Sequence, residues 1–149
     1  MSNIYQRRLS LTGIDAANMP IEDLRALLRK ILEAKIHGIS YSPYVEGQGP
    51  GTQIGAEQIA ERLAFITPYT NHIRTFSCSE GNELIPAIAK EAGLGTMVGV
   101  WLDDNLEQNE IELANAIEIA RQGHADILGV GNEVLLRGDL TEDEILDTS

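Results

Sequence analysis

The pair Asn132-Glu133 follows directly on the apolar run Ile127-Leu128-Gly129-Val130, with Gly131 between them. An amide beside a carboxylic acid at the end of a buried strand is equipment for acid/base work. Low-dielectric strand ends can raise a carboxyl pKa toward neutrality, as a general acid needs, while the amide can donate to a substrate hydroxyl. The tripeptide Gly-Asn-Glu also occurs at Gly81-Asn82-Glu83. That copy follows Ser79-Glu80 and opens a helical pattern, so Asn82 and Glu83 read there as capping residues. Context makes Glu133 the candidate catalytic residue.

Three other apolar runs end in polar or aromatic groups: Ser40-Tyr41, Thr75-Phe76-Ser77 and Trp101-Leu102-Asp103. Hydroxyl, amide, carboxylate and aromatic groups together suit a sugar. Tyr41 and Trp101 could stack against pyranose rings or, alternatively, pack the core or rim. Asp103 and Asn132 complete the candidate substrate-binding set. His37 and His72 fall at strand starts and His124 precedes the fourth run, so all three belong at the opposite end and no metal site is expected. Cys78 is the sole cysteine, which excludes an internal disulfide and reads as a small buried hydrophobe. The loop Gly47-Gln48-Gly49-Pro50-Gly51 has no lysine after it as a phosphate-binding loop would, and reads as a flexible rim loop.

The elements that must position these residues alternate. Strands are expected at Ile36–Ser40, Ile73–Ser77, Thr96–Leu102 and Ile127–Gly131. Helical spacing covers Ala56–Ile66 (Ile59, Leu63, Ile66), Glu83–Ala92 (Leu84, Ile85, Ile88) and Glu107–Arg121 (Ile111, Ala114, Ile117). Gly93 and Gly123 sit where helix C-caps belong, and Pro86 sits in a first turn, where its missing N–H costs little. Strand starts recur about every 30 residues, as βαβ units require, which implies a parallel sheet covered by helices with ligands at the strands' C-terminal ends. Residues 1–35 form a separate leading segment: a basic arm, then an amphipathic helix over 20–34 carrying Leu24, Leu27, Leu28, Ile31 and Leu32. Thr141-Glu142-Asp143-Glu144 is a capping-box start for a further helix.

The chain of 149 residues carries 11 Lys/Arg against 23 Asp/Glu, a net charge of −12. Residues 1–35 hold six basic side chains against four acidic, and 36–149 five against nineteen. So acidic a body repels phosphate backbones, and nucleic acid is not an expected partner. Hydrophobic residues at 43% suffice for a core. No apolar run approaches the roughly 18 residues of a membrane span. The polar start leads into no apolar segment of secretory type, so the cytoplasm is the default expectation.

Four segments, Ile36–Tyr44 (IHGISYSPY), Ile73–Ser77 (IRTFS), Val98–Asp103 (VGVWLD) and Val130–Leu140 (VGNEVLLRGDL), resemble the bacterial branch of glycoside hydrolase family 17, which holds β-1,3-glucan hydrolases and glucan transglycosylases. The resemblance covers about residues 36–147. It implies the N-terminal half of a (β/α)8 barrel, no cofactor, and a retaining mechanism. In that mechanism Glu133 is the acid/base after the fourth strand and Asn132 binds the sugar 2-hydroxyl. Arg74 keeps the nucleophile ionised, since a nearby cation lowers a carboxylate's pKa, and Tyr41 and Trp101 are subsite walls.

The nucleophile, a glutamate after the seventh strand, has no counterpart in these 149 residues, and a whole barrel needs about 250. Asp103 does not replace it, because the third and fourth strands are neighbours and the partner must approach from across the barrel. The expectation is therefore an inactive half barrel, domain 36–149, with exposed strand edges that need the missing half or self-association. Two other readings stay open: a carbohydrate-binding or self-associating module, and an unrelated small parallel α/β domain of flavodoxin-like type.

Overall fold

The computed structural model describes residues 13–147; the basic arm lies outside them. A single 3-10 turn, Ala16–Asn18, leads into helix α1, Ile21–Glu33. The chain then alternates: β1 Ile39–Ser40, α2 Ala56–Ile66, β2 His72–Arg74, a 3-10 turn Asn82–Leu84 running into α3 Ile85–Glu91, β3 Gly95–Val100, α4 Leu106–Arg121, β4 Ile127–Val130, and the short helices α5 Val134–Arg137 and α6 Glu142–Asp147. The leading helix forms as its spacing predicts, yet none of its residues is buried.

The four strands form one parallel sheet in the order β1-β2-β3-β4. Consecutive strands are neighbours throughout, the order of the first half of a (β/α)8 barrel. A flavodoxin-like sheet reverses direction at a switch point with order 2-1-3-4-5, so that reading is excluded. Among the described residues nothing pairs with the outer edges of β1 and β4. Ile127 and Leu128 on β4 are exposed, as are Leu135 and Leu136 beyond it.

The strands are shorter than expected because side chains take over their ladder groups. The His72 ring nitrogen Nδ1 meets the His37 carbonyl oxygen at 2.7 Å, so only the isolated Ile36–Thr70 bridge precedes Ile39. At the top of β3 the Trp101 N–H donates to Glu112 at 3.1 Å rather than to a strand.

Strand alternation sorts the core. Thr96, Val98 and Val100 are buried toward the helices, while Met97 and Gly99 face the other side. One cluster joins Ile73 to Ile59 and Leu63 of α2 and to Ile85 and Ala89 of α3. A second joins Val98, Val100 and Leu102 to Ala116 and Ile119 of α4 and to Val134. Both expected glycine caps form: Leu94 N–H reaches back to Ala89 O after Gly93, and His124 N–H to Ile119 O after Gly123. The capping box forms reciprocally, with Thr141 N–H donating to Glu144 at 2.7 Å and Glu144 N–H to the Thr141 hydroxyl.

One expected face is wrong. Helix α4 does not bury Ile111, Ala114 and Ile117; Ile111 and Ile117 are exposed, and the buried residues are Asn109, Glu112, Ala116 and Ile119. Polar partners turn the helix. Asn109 accepts from the Asp103 N–H and donates to the Asp103 carbonyl, and Glu112 reaches the loop after β2. Buried polar groups are tolerated when paired, and these are.

Candidate active site

Strand alternation alone would send Asn132 to the same face as Leu128 and Val130. Gly131 breaks the pattern with φ 73°, a left-handed conformation that glycine adopts without strain. Asn132 then meets Arg74, the last residue of β2, whose Nη2 donates to the Asn132 Oδ1 at 2.7 Å. The same guanidinium lies 4.9 Å from the Phe76 ring centroid. Sequence positions 58 residues apart are thus joined across the top of the sheet.

Glu133 follows in the left-handed region as well, φ 56° and ψ 20°, which non-glycine residues enter at a cost. Its side chain is exposed. The apolar surroundings expected of it are not formed by the described residues.

A cavity of about 430 Å³ opens over the ends of β1 to β3, within the range of about 300–1,000 Å³ usual for small-molecule sites. Of the expected site residues, Tyr41, Trp101 and Asp103 line it; Arg74, Asn132 and Glu133 do not. Tyr44 and Phe76 add aromatic wall, and Ser77, Glu80, Asn82 and Glu112 add polar groups.

The residues of this wall are already committed in part. Tyr41 is buried in the core, its hydroxyl donates to the Ile59 carbonyl at 3.1 Å, and burial pushes its pKa up to about 12. Trp101 is half-buried; its Nε1 donates to Asp103 at 3.2 Å and the Arg137 guanidinium carbon lies 4.3 Å over its ring. Asp103 spends its other oxygen on the Asn105 N–H at 2.9 Å. Asn82, expected to cap, does not: its amide donates to the Ser79 carbonyl and the Tyr44 hydroxyl. Glu83 does serve its turn, accepting from the Gly81 N–H at 2.8 Å. The rim loop is tied down, with the Gly51 N–H donating to Glu80 at 2.7 Å.

Two residues escaped the sequence reading. Glu112 is 1% exposed and accepts from the Ser77 hydroxyl (2.6 Å), the Ser79 hydroxyl (2.5 Å), the Cys78 N–H (2.6 Å) and the Trp101 N–H (3.1 Å). It fixes the loop after β2 against the top of β3. Arg137 bridges the ends of β3 and β4 through the Leu102 and Asn132 carbonyls. Its place in Val-Leu-Leu-Arg was the available signal. Cys78, between the two serines, is buried, and burial beside Glu112 and Glu83 pushes its thiol up to about 12. His37 and His72 stack at 4.7 Å by the strand starts, away from the cavity lining. Among the described residues no group of three or more His, Cys, Asp or Glu is placed to hold a metal ion.

The BtgE/BtgC glycoside hydrolase domain model matches residues 38–148. The chain belongs to that glycoside hydrolase family. Arg74, Asn132 and Glu133 all lie within the matched residues. A glucan 1,3-beta-glucosidase of Schizosaccharomyces pombe is 33% identical over 88 residues, 55% of this chain and 27% of that protein. The chain thus spans about a quarter of that relative's length. No solved structure matches.

Proposed function

We propose that this chain is the acid/base-bearing half of a retaining glycoside hydrolase of the family 17 type that cleaves β-1,3-linked glucan. Glu133 protonates the leaving glycosidic oxygen and then activates the water or acceptor hydroxyl. The observation that carries the reading is the Arg74–Asn132 contact. Arginine has only donors, so it takes the amide oxygen and leaves the Asn132 amide nitrogen to donate to a sugar hydroxyl beside the reacting carbon. Exposure of the neighbouring Glu133 leaves its carboxyl accessible to a polysaccharide. The named activity of the fission-yeast relative supports the choice of glucan.

Retaining chemistry needs a second carboxyl about 5–5.5 Å from the first. The cavity's own acids are engaged: Glu112 by four donors, Asp103 by Trp101 and Asn105, and Glu80 by Gly51. The nucleophile comes from outside the 149 residues, across a sheet whose β4 edge is open, and Arg74 supports its ionised form. The half barrel by itself holds glucan without cutting it, and the aromatic cavity favours that as the second reading.

The test is cleavage of a β-1,3-gluco-oligosaccharide by the full-length protein, with the first-formed anomer read by proton NMR. Initial β-anomer, or transfer products of β configuration, support the proposal. Initial α-anomer overturns the retaining mechanism. Binding without any product by the full-length protein favours the binding module.

A further inference from the structure

We infer that Arg137 is a positioning residue that holds the peptide on which Glu133 is mounted; this rests on the acid/base reading of Glu133. On that reading Glu133 must present its carboxyl to a substrate, and its backbone is left-handed (φ 56°). Such a conformation persists only where its surroundings over-determine it. Helix α5 is a single turn of four residues, too short to fix that geometry alone.

Arg137 closes the turn twice. Its backbone N–H donates to the Glu133 carbonyl at 2.9 Å, as in any helical turn. Its side chain then doubles back to the strand ends. Nη1 donates to the Asn132 carbonyl, on the peptide immediately before Glu133, and Nη2 donates to the Leu102 carbonyl at 2.8 Å. Nε pairs with Asp139 at 2.6 Å, and the guanidinium lies 4.3 Å over the Trp101 ring. One planar group therefore locks the top of β3, the top of β4 and the plane of a cavity-wall tryptophan. Arg74 holds the Asn132 side chain while Arg137 holds its main chain. A lysine, a point charge without a fork, cannot make the two carbonyl bonds and the stacked contact together.

The test compares Arg137→Lys, Arg137→Met and Glu133→Gln in the full-length protein. Two substrates are used: unsubstituted β-1,3-glucan, and an aryl β-glucoside whose phenolate leaves without protonation. The readout is kcat/KM, which reports the glycosylation step. A misplaced acid predicts that kcat/KM on glucan falls about a hundredfold for both Arg137 variants, the scale produced by ångström-sized misplacement. On the aryl glucoside the loss stays within about threefold. Should Arg137→Met fail to fold, Arg137→Lys and its ratio of losses on the two substrates carry the test.

Equal losses on both substrates would overturn the positioning role, as would unimpaired cleavage of glucan. If Glu133→Gln is selective for glucan and the Arg137 variants are not, this inference alone falls. If Glu133→Gln itself cuts both rates equally, the acid/base reading falls and takes this one with it.

Discussion

The Arg74 guanidinium and the Asn132 amide oxygen meet at 2.7 Å, joining the last residue of β2 to the second residue past β4. The bond reaches past β3, which lies between them in the sheet. At the same point in space it fixes which end of the amide is presented to a ligand, because arginine can only donate.

Arg74→Ala frees the amide and, on the proposed mechanism, removes the cation that supports the nucleophile. The expected result in the full-length protein is a loss in kcat larger than the change in substrate dissociation constant. Asn132→Asp keeps a partner for Arg74 but removes the proposed donor to the sugar. A double-mutant cycle over the two positions should show strong coupling, since the side chains touch. A pure binding defect in Arg74→Ala would contradict the role given to it.

Glu112 makes a prediction about stability. Glu112→Ala leaves the Cys78 and Trp101 N–H groups without their acceptor and opens a cavity, costing roughly 3–5 kcal/mol. Glu112→Gln should cost only about 1–2 kcal/mol. Its amide oxygen can still accept from the two fixed N–H groups, and the Ser77 and Ser79 hydroxyls can rotate to accept from its nitrogen. Urea denaturation of the three proteins checks the order. Equal stability of wild type and Glu112→Ala would remove Glu112 from the loop-fixing role.

These residues also mark what the sequence could and could not disclose. The alternation of apolar runs was enough for four parallel strands, because burial dictates period, and the leading helix was readable from its spacing alone, since none of its residues is buried. The glycine caps at Gly93 and Gly123 were readable because a left-handed C-terminus selects glycine. The face of α4 was not readable. Apolar spacing pointed to Ile111 and Ile117, whereas the buried Glu112 and Asn109 owe their place to loop N–H and carbonyl groups contributed from distant positions. The strand ends were overestimated for the same reason: His72 and Glu112 satisfy backbone groups that a ladder would otherwise claim. Asn132 and Arg74 were each singled out in the sequence as candidates, but their contact depends on the turn at Gly131.

Burial makes alkaline pH destabilising. The Cys78 thiol is raised from about 9 to about 12 and the Tyr41 hydroxyl from about 10 to about 12. The folded state therefore keeps protons that the unfolded chain releases, so stability is unaffected below about pH 9 and falls as pH rises from there toward 12. Denaturation midpoints at pH 8 and pH 10.5 should differ in that direction, and Cys78→Ala should reduce the difference. Cys78 should also resist a thiol reagent until the protein unfolds. Rapid labelling under native conditions would contradict its burial.

The central claim is that Glu133 donates the proton to the departing sugar oxygen, and kcat/KM of Glu133→Gln in the full-length protein tests it most directly. General acid catalysis contributes about 10²–10⁴-fold. The account predicts a loss of that order on unsubstituted β-1,3-glucan and little loss on an aryl β-glucoside with a good leaving group. Equal loss on the two substrates, or no loss on glucan, would contradict it.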